Sequence, residues 1–328
     1  MMVLITGGGG FIGSHLVDSQ LDQGHDVRTV DLHVERLAQV AGHPNLEIVE
    51  GDLTDDDLVR RLVDDIDIVY HLASAHLDVT LPDSYYRQVN VDATLNLLKA
   101  AHDASVEKVV HCSTNGVIGE IKKPPVDETT ECYPTNIYEK TKLEGERAAL
   151  RYHAETGFPV VIVRPAWVYG PRCPRTRRLM RMVGKGRFVM FGNGQTLRHP
   201  IFIADMIDAL ELSAQVDQAA GEVFFIAGDE PVTVEQLVYS VAEVQDVQVR
   251  VVHLPFALGK AAGYTIQLAY TPLGKQPPFS QRSLDFFGKD NAYDISKARS
   301  DLGFEPQTSL QAGLEQTWAA ILAHKSTP

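Results

Sequence analysis

Leu4-Ile5-Thr6-Gly7-Gly8-Gly9-Gly10-Phe11-Ile12-Gly13 runs an apolar strand into a glycine turn and then into a helical pattern from Ser14 to Leu21. Gly7, Gly10 and Gly13 fall at G-x-x-G-x-x-G spacing. A backbone that packs against a pyrophosphate must keep N–H groups free to donate and must present a helix N-terminus to negative charge. Positions without side chains meet that demand. The stretch therefore predicts a dinucleotide phosphate cradle carried by Gly7, Gly10, Phe11, Ile12 and Gly13. The competing reading, glycines marking an ordinary loop, is open from the turn alone.

The residues downstream narrow that choice. Val27-Arg28-Thr29-Val30-Asp31 reads as a second strand ending in a carboxylate, near the roughly 20-residue offset at which an acid meets a cofactor ribose. Asp31 favours NAD over NADP, whose extra phosphate it repels. Further strand-like runs lie at 46–50, 66–72, 106–112 and 160–164, separated by segments with helical spacing. Strands alternating with helices predict an α/β fold, a doubly wound parallel sheet of Rossmann type, with a smaller C-terminal substrate domain. Past Arg164 the pattern loosens into Pro, Gly and Arg-rich sequence through Leu197. It resumes with a short strand and helix around 202–212 and a strand at 223–227. We place residues 1–165 and about 201–230 in the cofactor domain, and about 166–200 and 231–328 in the substrate domain.

The chain has 328 residues, enough for a large buried core, and a formal charge of −13 with no long run of lysine or arginine. A nucleic-acid track is excluded on that ground. Cys112, Cys132 and Cys173 are odd in number and lack metal-ligand spacing, so no metal is expected and reduced thiols in the cytoplasm are the simplest account. Cys112 is expected to pack in a strand. The first strand begins at Met2 or Val3, leaving no room for a secretion signal. The apolar stretch from Val251 to Thr271 is interrupted by Lys260, glycines and Gln267, so it predicts a helix over a pocket or a surface-seeking segment and no membrane span.

Tyr138 and Lys142 are four residues apart in a helical run and share one face. A phenol is a poor base at neutral pH, but a neighbouring ammonium and a bound nicotinamide cation both favour the phenolate. Tyr138 can then take a hydroxyl proton while hydride leaves to the cofactor. The alternative is a half-buried tyrosine beside a solvated lysine; the place of the pair in the chain, read as beyond the sixth strand region, favours chemistry. Ser113-Thr114-Asn115-Gly116 follows the strand at 106–112, so Thr114 stands at a carboxyl edge where ligands bind, able to hydrogen-bond the reacting oxygen. An ordinary hydroxyl turn or helix cap is the alternative there.

These residues, with Gly51-Asp52-Leu53, His71-Leu72-Ala73, Asn90-Val91-Asp92-Ala93-Thr94, Arg164-Pro165, Tyr169-Gly170-Pro171, Asp294 to Arg299 and Leu302 to Pro306, resemble the extended short-chain dehydrogenase/reductase superfamily. More narrowly, the chain resembles the NAD-dependent epimerase/dehydratase family over nearly its whole length. The resemblance implies that Asp52 and Leu53 flank the adenine, that Leu72 and Ala73 lie along the cofactor with Ala73 on the pyrophosphate side, and that Lys142 holds the nicotinamide ribose. It implies that Pro165 shapes the nicotinamide pocket. Read singly, Asp52 is equally a cap for a helix starting near Asp55. A homodimer through the helices near 91–102 and 138–152 is the family expectation.

Relatives that dehydrate or decarboxylate sugars usually carry an acid after the catalytic Ser or Thr, where this chain has Asn115 and Gly116. That leaves epimerisation of a nucleotide-sugar, with Arg198, at a family position, and Arg282 as diphosphate contacts. Arg172, Arg175, Arg177 and Arg178 read at least as well as a solvated surface patch. Two departures point elsewhere: Trp167 stands where sugar epimerases often have Asn, and Ile118 where they often have Tyr. Both make the pocket less polar and are similar to members that oxidise hydroxysteroids, although Trp167 also fits as core filler. A third reading, an NAD-sensing protein without chemistry, conflicts with Thr114, Tyr138 and Lys142 occurring together.

Overall fold

The computed structural model describes residues 1–76, 81–270 and 284–325. The first half alternates strand and helix: β1 (Met2–Thr6), α1 (Phe11–Asp22), β2 (Asp26–Asp31), β3 (Leu46–Glu50), α2 (Asp56–Leu62), β4 (Ile68–His71), α3 (Asp83–Arg87), α4 (Thr94–Asp103), β5 (Lys108–Cys112), α5 (Ile137–Thr156) and β6 (Val160–Pro165). A π-helical turn, Gln88–Ala93, joins α3 to α4. The second half holds β7 (Trp167–Tyr169), α6 (Pro174–Val183), β8 (Arg187–Phe191), β9 (Leu197–Arg198), β10 (Pro200–Phe202), α7 (Ile203–Gln215), β11 (Val223–Ile226), β12 (Val232–Thr233), α8 (Val234–Val244) and β13 (Arg250–Leu254). It ends with α9 (Phe256–Tyr270), α10 (Asp285–Gly288), α11 (Ser296–Leu302) and α12 (Leu310–Lys325).

Seven strands form one sheet in the order β11-β6-β5-β4-β1-β2-β3, every pair parallel. Strand order reverses between β1 and β4, and open α/β sheets bind ligands at such a switch point, outside the carboxyl ends of the strands. Helices cover both faces, which is why the strands read as continuous apolar runs instead of alternating ones. Val3, Leu4 and Ile5 are all fully buried; each such side chain contributes roughly 1.5–3 kcal/mol on burial. Register aligns the strand ends, with Thr6 opposite Val30 and His71, His71 opposite His111, and Cys112 opposite Val163. The segments that follow β1, β4, β5 and β6 therefore emerge side by side.

Helix α5 starts where it does because Asn136 accepts from Glu139 N at 3.0 Å while the Glu139 carboxylate accepts from Asn136 N, a reciprocal cap. It stops at Gly157, whose φ of 76° belongs to the left-handed region. Tyr138 thus lies in the first turn of the helix between β5 and β6, one strand earlier than read from the sequence. The stretch from 165 to 197 is also more ordered than its composition implies, since it contains β7, α6 and β8. Three two-stranded sheets, β7 with β10, β9 with β12 and β8 with β13, build this half. Its aromatic core is continuous with one face of the large sheet: Phe188, Phe202, Phe304 and Leu314 share a buried cluster with Val3, Ile5 and Val161. Among the described residues, no helix is long and apolar enough to cross a membrane.

Candidate functional site

The glycine turn has the shape its composition predicts. Gly7 has φ 76°, and a Cβ there would lie 2.8 Å from Ala73 N; one on Gly13 would lie 2.1 Å from Gly7 O. Side chains at either position would fill the space that the turn leaves between β1 and the loop after β4. Gly10 caps α1 without any side-chain hydrogen bond, and no acid occupies the first turn of that helix. The amides of Phe11, Ile12 and Gly13 thus face outward at the positive end of the helix dipole, the arrangement that suits a phosphate pair. These features fit a dinucleotide.

Asp31 closes β2 beside this turn, its carboxylate accepting from Gly9 N at 2.9 Å and His33 N at 2.8 Å. Gly51 N donates to Asp31 O, which brings Asp52 to the same edge. Asp52 accepts from Thr54 N at 2.9 Å and from the Tyr85 hydroxyl at 2.8 Å. It is not the helix cap: Asp55 caps α2, accepting from Asp57 N and Leu58 N. Leu53 is buried in the core beneath, Leu72 packs against the core, and Ala73 N donates to Thr6 Oγ1 at 3.1 Å.

Thr114 and Tyr138 meet at the ends of β5 and α5. Thr114 does cap a short turn, accepting from Gly116 N at 3.2 Å, and its hydroxyl donates to Asn115 Oδ1 at 3.4 Å; it also lies near enough to the Tyr138 phenol to favour the charged form. The turn-cap reading of Thr114 therefore holds. Lys142 is 2% exposed and its Nζ donates to Cys112 O at 2.7 Å, so the solvated-lysine alternative is excluded. Burial pushes that ammonium down to about 8, against the pull of Cys112 and Glu146. The expected pull on the Tyr138 phenol includes a bound nicotinamide cation, and the protein's own groups do not supply it. Burial and Cys112 push its phenol up to about 12, opposed by Thr114 and Arg175. Desolvation is the largest influence on the phenol and outweighs the favourable effects of Thr114 and Arg175.

A buried network behind these groups escaped sequence analysis. Glu146, one further turn along the face that carries Tyr138 and Lys142, accepts from Ser113 Oγ at 2.7 Å and from Arg164 Nε at 3.1 Å. A second Arg164 nitrogen closes an ion pair with the other Glu146 oxygen, and neither side chain is more than 5% exposed. Pro165, assigned to the nicotinamide pocket, follows Arg164 directly. The i, i+4 repeat 138, 142, 146 was the available signal. Asn115 donates to the Tyr293 hydroxyl at 2.7 Å, tying the turn to the C-terminal segment.

On the substrate side, Trp167 stacks near Tyr169 and stands edge-on to Phe286 at 6.3 Å. The Arg198 guanidinium lies over the same Phe286 ring at 4.9 Å. Arg198 is buried, its terminal nitrogens donate to the carbonyls of Leu197, Lys289 and Asp285, and burial pushes it down to about 10. Arg282 lies outside the described residues. Ile118 is 2% exposed and belongs to the core, so it does not line a pocket as its sequence context suggested. The arginine cluster is not merely solvated: Arg172 pairs with Asp18 at 2.6 Å and Arg175 donates to His76 at 2.7 Å. The 251–271 stretch begins as strand β13 and continues as α9, whose Phe256 and Lys260 line a cavity of about 400 Å³ with Glu120, Leu284 and Asp285. All three cysteines are free, and Cys112 is buried at the end of β5.

Comparison with known proteins agrees with this geometry. The pattern described as "NAD dependent epimerase/dehydratase family" matches residues 3–227. The chain is 27% identical over 326 residues to N-acetyl-alpha-D-glucosaminyl-diphospho-ditrans,octacis-undecaprenol 4-epimerase of Escherichia coli O157:H7, covering 98% of this chain and 96% of that one. It is 30% identical over 335 residues to 3 beta-hydroxysteroid dehydrogenase/Delta 5-->4-isomerase of Mycobacterium tuberculosis, covering 96% and 88%. Among solved structures, UDP-glucuronic acid 4-epimerase from Bacillus cereus in complex with UDP-glucuronic acid and NAD is similar, with TM-score 0.79 and 27% identity over 99% of this chain and all of that one.

Proposed function

Because the chain belongs to the NAD dependent epimerase/dehydratase family, we propose that it is an NAD-dependent epimerase acting on a nucleotide-sugar through a transient keto intermediate. The observation that carries this reading is the Thr114 and Tyr138 pair at the sheet's carboxyl edge, beside the phosphate cradle and with no carboxylate at 115 or 116. In the reaction, Tyr138 removes the proton of a sugar hydroxyl, and Thr114 orients that oxygen by a hydrogen bond. When bound, NAD would supply a reversible hydride acceptor for the carbinol carbon and a positive charge that favours the phenolate. Lys142, anchored by one N–H to Cys112 O, keeps two donors for the ribose hydroxyls of the cofactor. Gly7, Gly10 and the amides of Phe11, Ile12 and Gly13 hold the pyrophosphate, Asp31 the adenosine ribose, and Asp52, Leu53, Leu72, Ala73 and Pro165 the remaining walls.

The keto sugar would turn over in the site, so that hydride is redelivered to the opposite face of the carbonyl carbon while Tyr138 gives its proton back to the carbonyl oxygen. Without an acid at 115 or 116, nothing at that position is available to drive loss of water from the same intermediate. Arg198 and Arg282 are our candidates for the diphosphate. Absence of net reduced cofactor is the signature: a panel of UDP-, GDP- and dTDP-sugars should yield a sugar isomer while the reduced-nicotinamide absorbance stays flat. Tyr138→Phe should keep NAD binding and lose turnover by about 10²–10⁴-fold; unchanged turnover removes Tyr138 from the mechanism.

A second reading, oxidation of a hydroxysteroid or sterol-like alcohol with release of the ketone, is favoured by the aromatic wall of Trp167 and Phe286 and by the commitment of Arg198 to backbone carbonyls. Stoichiometric reduced cofactor with a steroid in the same panel selects it. The catalytic groups serve both, since the readings part only at the fate of the ketone. The same family reading carries a homodimer through α4 and α5, to be checked by light scattering on the eluting protein.

A further inference from the structure

The loop after β4 and helix α6 meet against Tyr138. Arg175 donates to His76 Nε2 at 2.7 Å, and the His76 and Tyr138 rings form a T-shaped pair with centroids 4.7 Å apart and planes at 88°. A guanidinium has no acceptor, so the His76 nitrogen that faces it carries no proton and the imidazole is neutral. The Arg175 guanidinium therefore stands one imidazole away from Tyr138 and favours its charged form against the effect of burial. The other groups facing Tyr138 act differently. Cys112 on β5 and Glu139 on α5 oppose a charged phenol, and Thr114 favours it. Lys142, a turn further along α5, is turned onto the Cys112 carbonyl.

We propose that His76 and Arg175 are positioning residues for Tyr138: His76 fixes the rotation of the phenol ring and docks the guanidinium beside it, and the guanidinium steadies negative charge on the phenol oxygen. This rests on the reading of Tyr138 as proton acceptor and adds to it a cation that comes from the substrate-side helix α6. The proton path is closed without any further reagent. The substrate O–H bond breaks, the proton goes to the Tyr138 oxygen, and on the return step it goes back to the sugar oxygen; Arg175 and His76 exchange no proton.

The test reads the tyrosine directly and needs no substrate. The full chain, carrying isotope-labelled tyrosine Cζ and saturated with NAD, is titrated by NMR, with Tyr138→Phe identifying the resonance. Arg175→Gln should raise the titration midpoint by about one unit, Arg175→Lys should restore most of it, and His76→Phe, which keeps a ring but loses the anchor, should match Arg175→Gln. Midpoints unchanged in Arg175→Gln and His76→Phe overturn the proposal. In turnover assays, Arg175→Gln should lower kcat about tenfold at neutral pH with the acid limb moved upward. A raised KM with an unmoved limb means that Arg175 holds substrate, and likewise overturns it. Lack of turnover with every substrate offered counts against the enzyme reading alone, because the tyrosine midpoints are still measured.

Discussion

His111→Leu should make the protein less sensitive to acid. His111 is fully buried on β5, opposite His71 in the register, with the two rings 5.0 Å apart. Neither of its ring nitrogens has a partner among the described residues. Burial, then Lys142 and His71, hold it well below its ordinary 6.5. His71, bonded to the hydroxyls of Thr6 and Thr94, is pushed to about 3, by burial first and Lys142 second. Both imidazoles are therefore neutral in the native state at pH values where the unfolded chain has already taken up protons. Since their folded pKa values are depressed, stability is fully present above 6.5 and is lost as pH falls below it. Each such group costs about 1.4 kcal/mol per pH unit, or roughly 2 kcal/mol at about pH 5. The wild type should lose about 4 kcal/mol through this pair between neutral pH and about pH 5, and His111→Leu about half of that. Carboxylates titrate alike in both proteins and cancel in the difference. At neutral pH the variant should be at least as stable, because removing two unpaired buried nitrogens offsets a repacking cost of about 1 kcal/mol. Urea unfolding at a series of pH values measures this. Equal losses on acidification in the two proteins would refute the reasoning, since they would mean that His111 takes up its proton in the native state.

Gly13→Ala places a methyl 2.1 Å from Gly7 O and should abolish NAD binding in calorimetry; retained affinity would place the cofactor elsewhere. Asp31→Ala should cut the preference for NAD over NADP by about tenfold or more, the worth of one charged hydrogen bond, and an unaltered ratio of the two affinities contradicts its role. Glu146→Gln leaves the Arg164 charge buried without its partner and should cost about 3–5 kcal/mol in chemical denaturation; a loss below about 1 kcal/mol would mean that the pair is neutralised or solvated.

The glycine turn and the parallel sheet were legible because each is written locally, as apolar runs and residues without side chains, whereas the order of the strands came only from the fold. The helix face of Tyr138 and Lys142 was legible for the same reason. Electrostatics at Tyr138 was not, because its sign depends on how deeply the phenol is desolvated and on which charges the fold brings to it. Ile118 looked like a pocket residue from its neighbours and proved to be core, since inward and outward positions cannot be told apart in an irregular turn. Asp52 and Asp55 compete for one cap three residues apart, and the helix begins after the second. Arg175 resembled its three neighbouring arginines in sequence; a histidine about a hundred residues away in the chain distinguishes it. Arg164 and Glu146 each sit in segments whose pattern marks them as strand and helix, with nothing to say that one charge closes on the other.

The tie between Ser113, Glu146 and Arg164 has a mechanical consequence. It fastens the end of β5, the body of α5 and the end of β6 at one point, so that Thr114, Tyr138 with Lys142, and Pro165 travel as a single rigid piece. On the proposed reading, the reacting groups are then held at a fixed spacing before any substrate arrives. On the same reading, accommodation of different alcohols would fall to the facing wall, where Arg198 and Phe286 hold α10 against β9, and a swap of substrate range should be reachable by changing that wall alone.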